Sequence, residues 1–369
     1  MPDTRLHRLT ELGQSPWIDY LSRELVRGGE LERLIEEDAI RGVTSNPTIF
    51  QKAISSGNAY DDQLRELAPE MDDPKELFIE LAITDVRDAC DVLKPVWESG
   101  KRGRDGYVSI EVDPTLAHET QATIDQAVRF HDTIDRPNLY VKIPGTKAGL
   151  PAIEEMISRG RSINVTLIFS LERYSEVAEA YVRGIERLVE NGGDPTDVGS
   201  VASFFVSRVD TEGDKRLDEL GGHDELNGKL AIANAKLAYQ RYKEVFSGER
   251  WERLAAKGAV PQLCLWASTS TKNPEYRDVI YVEELIGPDT VNTMPEETIS
   301  SFQDHGEVAP TLERGIEEAR DVFARLEEAG GDYDDVVETL EREGVEKFAD
   351  SFDELLEGIR KTSRELVTA

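Results

Sequence analysis

The stretch Asn138-Leu139-Tyr140-Val141-Lys142-Ile143-Pro144-Gly145-Thr146-Lys147 decides the fold. Leu139, Val141 and Ile143 alternate with Tyr140, Lys142 and Pro144, which is the period of a strand, so the apolar set faces one way and Lys142 the other. In a helix-covered parallel sheet both strand faces are buried, which commits a lysine to the interior. A buried ammonium is costly unless it is paired or gives up its proton. Burial lowers a lysine pKa, and the neutral amine is a nucleophile toward carbonyls. A lysine that snorkels from a strand end into solvent is the plainer alternative. What accompanies Lys142 has to decide between the two.

Working outward, the chain reads as strands alternating with helices. Alternation and bounding turn residues predict strands over 15–20, 42–47, 106–112, 138–144, 163–169, 198–209, 262–268 and 290–294. Helical spacing predicts helices through 25–35 and over 60–67, 74–97, 116–132, 151–158, 172–191 and 226–246. Further helices are expected over 312–329, 333–343 and 347–367, wrapping the outside. Eight strands at 369 residues point to an α/β fold, a closed (β/α)8 TIM barrel with additional C-terminal helices. The alternative is an open doubly wound sheet, but no Gly-x-Gly-x-x-Gly follows a strand. No fixed-period repeat or linker-like segment divides the chain. It is expected to form one domain over 1–369, with a C-terminal helical extension over about 310–369.

Composition narrows the partners. Asp and Glu number 74 against 43 Lys and Arg, a formal net charge of −31, with the acids spread over the whole length. Nucleic acid and anionic membranes are poor partners for such a surface. Adaptation to salt is one reading of it. Cys90 and Cys264 are too few for a disulfide framework and lie in apolar runs, where buried free thiols are expected. The first residues lack the apolar core of a signal peptide and no apolar run approaches a membrane span, so a cytoplasmic setting is expected.

If the sheet closes, inward side chains alternate with helix-facing ones. Val108, Ile110 and Val112 share one parity, which turns Glu111 inward. Ile163, Val165 and Leu167 turn Asn164 and Thr166 inward, and Val43 turns Thr44 and Asn46 inward. Ser203 and Phe205 share a parity, and Arg208 falls just past that strand. Each of these, taken singly, is also readable as a satisfied core residue. A Lys, a Glu, two Asn and a Thr on separate strands are nevertheless unlike the bulky apolar filling of an ordinary barrel.

These residues resemble those of the transaldolases, the long bacterial type in particular, which belong with the Schiff-base (class I) aldolases. The resemblance runs through Thr44-Ser45-Asn46-Pro47, Ser109-Ile110-Glu111-Val112-Asp113-Pro114, Val141-Lys142-Ile143-Pro144, Ile163-Asn164-Val165-Thr166-Leu167-Ile168-Phe169-Ser170, Ser203-Phe204-Phe205-Val206-Ser207-Arg208 and Ser270-Thr271-Lys272-Asn273-Pro274, in order and strand by strand. It implies a pentose phosphate pathway transferase that moves a dihydroxyacetone unit from sedoheptulose 7-phosphate or fructose 6-phosphate to glyceraldehyde 3-phosphate or erythrose 4-phosphate. It implies Lys142 as the Schiff-base nucleophile, Glu111 with a water held by Thr166 for proton movement, and Asp19 as the C4 acid and base. Asn46, Asn164 and Ser203 are implied to bind the three-carbon fragment, and Arg208, Ser270 and Lys272 the phosphate, with Phe205 on the wall. Two positions depart from the pattern. Asp19 sits in Trp17-Ile18-Asp19-Tyr20-Leu21, where several members follow the aspartate with small residues, and Asp38 is the substitute if it is not the acid. Lys272 stands where many members carry Arg, and Ser268 is an alternative contact there.

No metal or organic cofactor is implied, and His7, His118, His131, His223 and His305 show no ligand spacing. The expected partners are sugar phosphates, and the resemblance is compatible with a monomer or a homo-oligomer. Two other functions stay open: a fructose 6-phosphate aldolase releasing free dihydroxyacetone, and a non-catalytic barrel that binds sugar phosphates.

Overall fold

Eight short strands in which every residue is buried form the centre of the molecule: β1 (Gln14–Ile18), β2 (Gly42–Val43), β3 (Tyr107–Glu111), β4 (Leu139–Pro144), β5 (Ile163–Ile168), β6 (Ser200–Phe205), β7 (Leu263–Ala267) and β8 (Thr290–Met294). In this computed structural model, which describes residues 4–368, they pair in parallel and in sequence order, and β8 returns to β1 to close the barrel. Burial on both faces is what a parallel sheet with an outer layer of helices requires. Cys90 and Cys264 are free and buried, as expected. The first three residues and Ala369, which fall within the expected domain span, lie outside the described residues.

The N-terminal half of the lumen is filled with aromatic rings. Tyr107 and Tyr140 stack with centroids 4.1 Å apart, and Trp17 lies 6.2 Å from Tyr140. Gly42 makes room for them, since a Cβ there would stand 2.4 Å from the Trp17 indole. The Trp17 ring N–H donates to Ser15 Oγ and to the Arg104 carbonyl, each at 3.1 Å, so the polar edge of the plug is satisfied. Chemistry is thereby confined to the C-terminal mouth.

Several elements differ from the sequence reading. The strand expected over 42–47 pairs only at Gly42–Val43, because Asn46 caps a helix, Pro47–Ser55, by accepting a hydrogen bond from Ile49 N–H at 3.0 Å. Asn followed by Pro at the first helical position is a start signal for a helix. The strand expected over 198–209 stops at Phe205 and runs directly into the helix Val206–Leu220. Val206 and Val209 fit helical spacing as well as they fit a short apolar strand. The helices Arg5–Glu11, Gly248–Ala255 and Glu296–His305 were not expected.

The largest difference lies at the C-terminus. The two helices expected over 333–343 and 347–367 are one, Tyr333–Thr368, and it crosses the barrel mouth instead of wrapping the side. Gly344 is no break. A Cβ there would come within 3.1 Å of Leu167 and 3.5 Å of Phe169, so the glycine lets this helix lie close on the end of β5.

Candidate active site

Lys142 points into the lumen from β4, near its C-terminal end, and is 6% exposed. Its Nζ donates to the Ser45 carbonyl at 2.7 Å and to Glu111 Oε2 at 3.2 Å. The parallel register sets Glu111 of β3 directly beside it. Burial pushes the Glu111 carboxyl up, while the Lys142 charge and hydrogen bond pull it down; the raised side prevails. Glu111 Oε1 and Thr166 Oγ1 are buried and have no protein hydrogen-bond partner, though the Thr166 hydroxyl is close enough to draw the carboxyl pKa down. Leu167, next to Thr166, has φ 57° at an irregularity in the β5–β6 register, which breaks strict alternation where β5 ends. Its side chain meets the C-terminal helix, so the parity that placed it against the outer helices fails there.

Asp19 follows β1 directly and takes a hydrogen bond from Thr44 Oγ1 at 2.6 Å. Burial raises its pKa above the ordinary carboxylate value, against the lowering effects of Thr44 and of Lys142. Asp38, the substitute considered for it, caps the helix Glu30–Glu37, pairs with Arg33 at 3.1 Å and does not face the lumen. Thr44 also shares a hydrogen bond of 2.6 Å with Thr293 of β8, tying three strand ends together. Asn164 donates to Ser109 Oγ at 3.1 Å and accepts from Ser203 Oγ at 2.7 Å, so β3, β5 and β6 are linked across the lumen. Each of those groups keeps spare hydrogen-bonding capacity.

A cavity of about 520 Å³ opens above these groups, lined by Asp19, Asn46, Lys142, Asn164, Thr166, Ser203, Phe205, Arg208, Ser268, Ser270 and Lys272. Of the predicted residues only Glu111 lies behind the wall, reaching the cavity through Lys142. One end of the cavity is cationic. Arg208 stands in the first turn of the helix Val206–Leu220, whose N-terminus has no side-chain cap and whose Ser207 N–H donates to the Ser268 carbonyl at 3.0 Å. Lys272 Nζ donates to Ser270 Oγ at 2.7 Å. Burial lowers the pKa of both Arg208 and Lys272, and the neighbouring Arg208 charge lowers that of Lys272 further. Ser268, with φ 54°, turns out of strand alternation into the cavity and shares a hydrogen bond of 2.9 Å with Ser207. This end suits a phosphate, and the carbonyl-reactive floor lies below it.

Sequence reasoning missed other wall residues. Thr48, Ile49 and Lys52 come from the unexpected helix Pro47–Ser55, and Glu296 and Glu297 from Glu296–His305. Phe348 comes from the C-terminal helix. The Asn-Pro start signal could have found the first set; nothing local marks Phe348. Among the described residues no group of three or more His, Cys, Asp or Glu is arranged to hold a metal ion. None of the described helices is long and apolar enough to cross a membrane.

Comparison with known proteins agrees with this arrangement. Residues 16–359 match the family model described as transaldolase/fructose-6-phosphate aldolase. The chain is 52% identical over 354 residues to the transaldolase of Frankia alni, covering 95% of each chain. It is 50% identical over 360 residues to the transaldolase of Saccharopolyspora erythraea, covering 97% of this chain and 98% of that one. It is 51% identical over 359 residues to the transaldolase of Mycobacterium bovis, covering 96% of each. The chain belongs to the transaldolase/fructose-6-phosphate aldolase family.

Proposed function

We propose that this chain is a transaldolase, a transferase of the pentose phosphate pathway that carries a dihydroxyacetone unit between sugar phosphates. The observation that carries the reading is the buried Lys142–Glu111 pair at the floor of a cavity whose other end is cationic. Glu111 is the neighbour able to take a proton from the lysine, which frees the amine to attack the C2 carbonyl of sedoheptulose 7-phosphate or fructose 6-phosphate. The carbinolamine loses water to give an iminium, with the proton moved by Glu111 and a water held by Thr166. Asp19 removes the C4 hydroxyl proton, the C3–C4 bond breaks, and its electrons enter the iminium to form an enamine. The departing aldose phosphate leaves a three-carbon fragment held by Asn46, Asn164 and Ser203. Glyceraldehyde 3-phosphate or erythrose 4-phosphate then enters, its aldehyde carbon is attacked by the enamine, and Asp19 returns the proton. Hydrolysis of the new iminium frees Lys142.

Asp19 suits this work because burial favours its protonated form, so it can both take and return a proton. Arg208, Ser270 and Lys272, with Ser268 beside them, bind the phosphate of donor and acceptor. Lysine at position 272 contributes a point charge without a bidentate fork. Transfer is favoured over release of free dihydroxyacetone because Phe205 presents a ring, with no exchangeable hydrogen, to the cavity wall. The enamine then outlasts departure of the first product. The barrel and the C-terminal helices act as one domain, in the cytoplasm.

The test is acceptor dependence. Fructose 6-phosphate alone is expected to give at most one turnover, and adding erythrose 4-phosphate is expected to start continuous formation of sedoheptulose 7-phosphate. Steady release of glyceraldehyde 3-phosphate at the same rate without acceptor would make the chain an aldolase.

A further inference from the structure

The phosphate end of the cavity contains an arginine held in an unusual way. Arg208 is half-buried, yet among the described residues no carboxylate forms an ion pair with it. Its guanidinium carbon instead lies 5.0 Å from the centre of the Phe205 ring and 5.7 Å from that of Phe348. The two rings contact each other edge to face, with centroids 6.1 Å apart. Phe205 ends β6 and precedes Arg208 by three residues, so its position is set by the barrel. Phe348 belongs to the helix Tyr333–Thr368 and reaches the cavity only because that helix crosses the mouth.

We propose that Phe348 is a positioning residue for substrate phosphate: together with Phe205 it holds the Arg208 guanidinium by cation–π contact and fixes the direction of its N–H donors. The inference rests on the transaldolase reading for the identity of the substrate. The physical reason is the asymmetry of a guanidinium, whose faces are weakly hydrated and whose donors lie in its plane. A carboxylate that held Arg208 would occupy those donors and compete with phosphate. An aromatic ring attracts the cation through its quadrupole and leaves the in-plane edge free. Half-burial of an arginine without a carboxylate partner is costly, and the ring contacts offset part of that cost while the full charge stays available to the ligand. The C-terminal helix is thus part of the substrate site as well as its cover.

The experiment compares Phe348→Ala, Phe348→Leu and Phe348→Tyr for two acceptors, glyceraldehyde 3-phosphate and unphosphorylated glyceraldehyde, with fructose 6-phosphate as donor. Phe348→Ala is expected to lower the phosphorylated-to-unphosphorylated ratio of kcat/KM about tenfold, mainly through KM. Phe348→Leu fills the volume without a π-face, so it should match Ala in this ratio while keeping a melting temperature near wild type. Phe348→Tyr should keep the wild-type ratio. In an Arg208→Ala background, Phe348→Ala should cause no further fall in the ratio. An equal loss with both acceptors, a wild-type ratio in Phe348→Leu, or additive effects in the double variant would overturn the proposal. Calorimetric binding of inorganic phosphate to the same proteins separates the two readings. A wild-type chain that binds phosphate without transferring would end the transaldolase reading alone, and phosphate affinity unchanged by Phe348→Ala would end this one.

Discussion

Lys142 and Glu111 are each nearly removed from water, so neither is inert to the loss of the other. Removing one member of such a pair leaves an uncompensated buried charge. Glu111→Gln keeps the shape and deletes the proton acceptor. It is expected to slow turnover by about 10²–10⁴-fold, read as kcat, with iminium formation slowed but not abolished. A turnover rate within twofold of wild type would remove Glu111 from the proton path. A second buried acid offers a stability test away from the chemistry. Asp210 accepts hydrogen bonds from Ala231 N–H at 2.7 Å and Tyr281 Oη at 2.7 Å, and burial raises its pKa to about 7. Its folded value lies above its unfolded one, so the folded state holds the proton more tightly between those two values. Stability on its account is therefore fully present below about pH 4 and is lost as pH rises toward 7. Asp210→Asn, whose amide can accept from Ala231 N–H and donate to the Tyr281 oxygen, should melt higher than wild type at pH 8, with the gap narrowing as pH falls and closing only below about pH 4. A gap independent of pH would show that Asp210 does not titrate in this window. At this scale the sequence was informative where alternation held: Lys142, Glu111, Asn164, Thr166 and Ser203 all turn inward as parity requires. Parity failed at Leu167, because a positive φ reverses the direction of a side chain and no residue type there announces it; Ser268, read as a contact beside Ser270 and Lys272, does line the cavity with them.

Elements at strand ends were harder to read than strands. The expected strands over 42–47 and 198–209 both end early in helices, and in both cases the junction places a site residue: Asn46 as a cap and Arg208 in a first turn. A short apolar run gives no periodicity long enough to separate strand from helix. The C-terminal helix was expected as two, over 333–343 and 347–367; Gly344, which lies between them, instead makes a close approach to Leu167 and Phe169 that only the folded chain defines. That approach is testable. Gly344→Leu adds a side chain where a single Cβ already meets Leu167 at 3.1 Å, so the helix must lift from the mouth. The expected result is a melting temperature lower by several degrees, consistent with overpacking of about 1–3 kcal/mol, together with a raised KM for sugar phosphates. Unchanged stability and KM would mean that the helix is not held against β5 at this point.

Taken whole, the molecule sets a cationic pocket inside a strongly acidic field. The net charge of −31 is known from composition, and it disfavours the compact state through self-repulsion. Surface ion pairs such as Arg250 with Glu179 and Glu186, each at 2.8 Å, contribute little singly and are themselves screened by salt. Screening of the net charge should prevail. The melting temperature is expected to rise between about 0.01 M and about 1 M NaCl, as the Debye length shortens from about 30 Å to about 3 Å. A flat or falling profile would show that ion pairing governs instead. The barrel was legible at this scale from strand count, length and alternation; the course of the last helix over the mouth was not, since a contact between Phe348 and Arg208 leaves no local trace in sequence. The central claim is that Lys142 forms a Schiff base with a ketose phosphate and retains its three-carbon fragment. The direct measurement is to incubate the protein with fructose 6-phosphate, reduce with borohydride, digest, and weigh the peptide containing Lys142. A reduced dihydroxyacetone adduct on Lys142, absent from Lys142→Met, is the predicted result; no adduct, where a known transaldolase in the same tube is trapped, would contradict it.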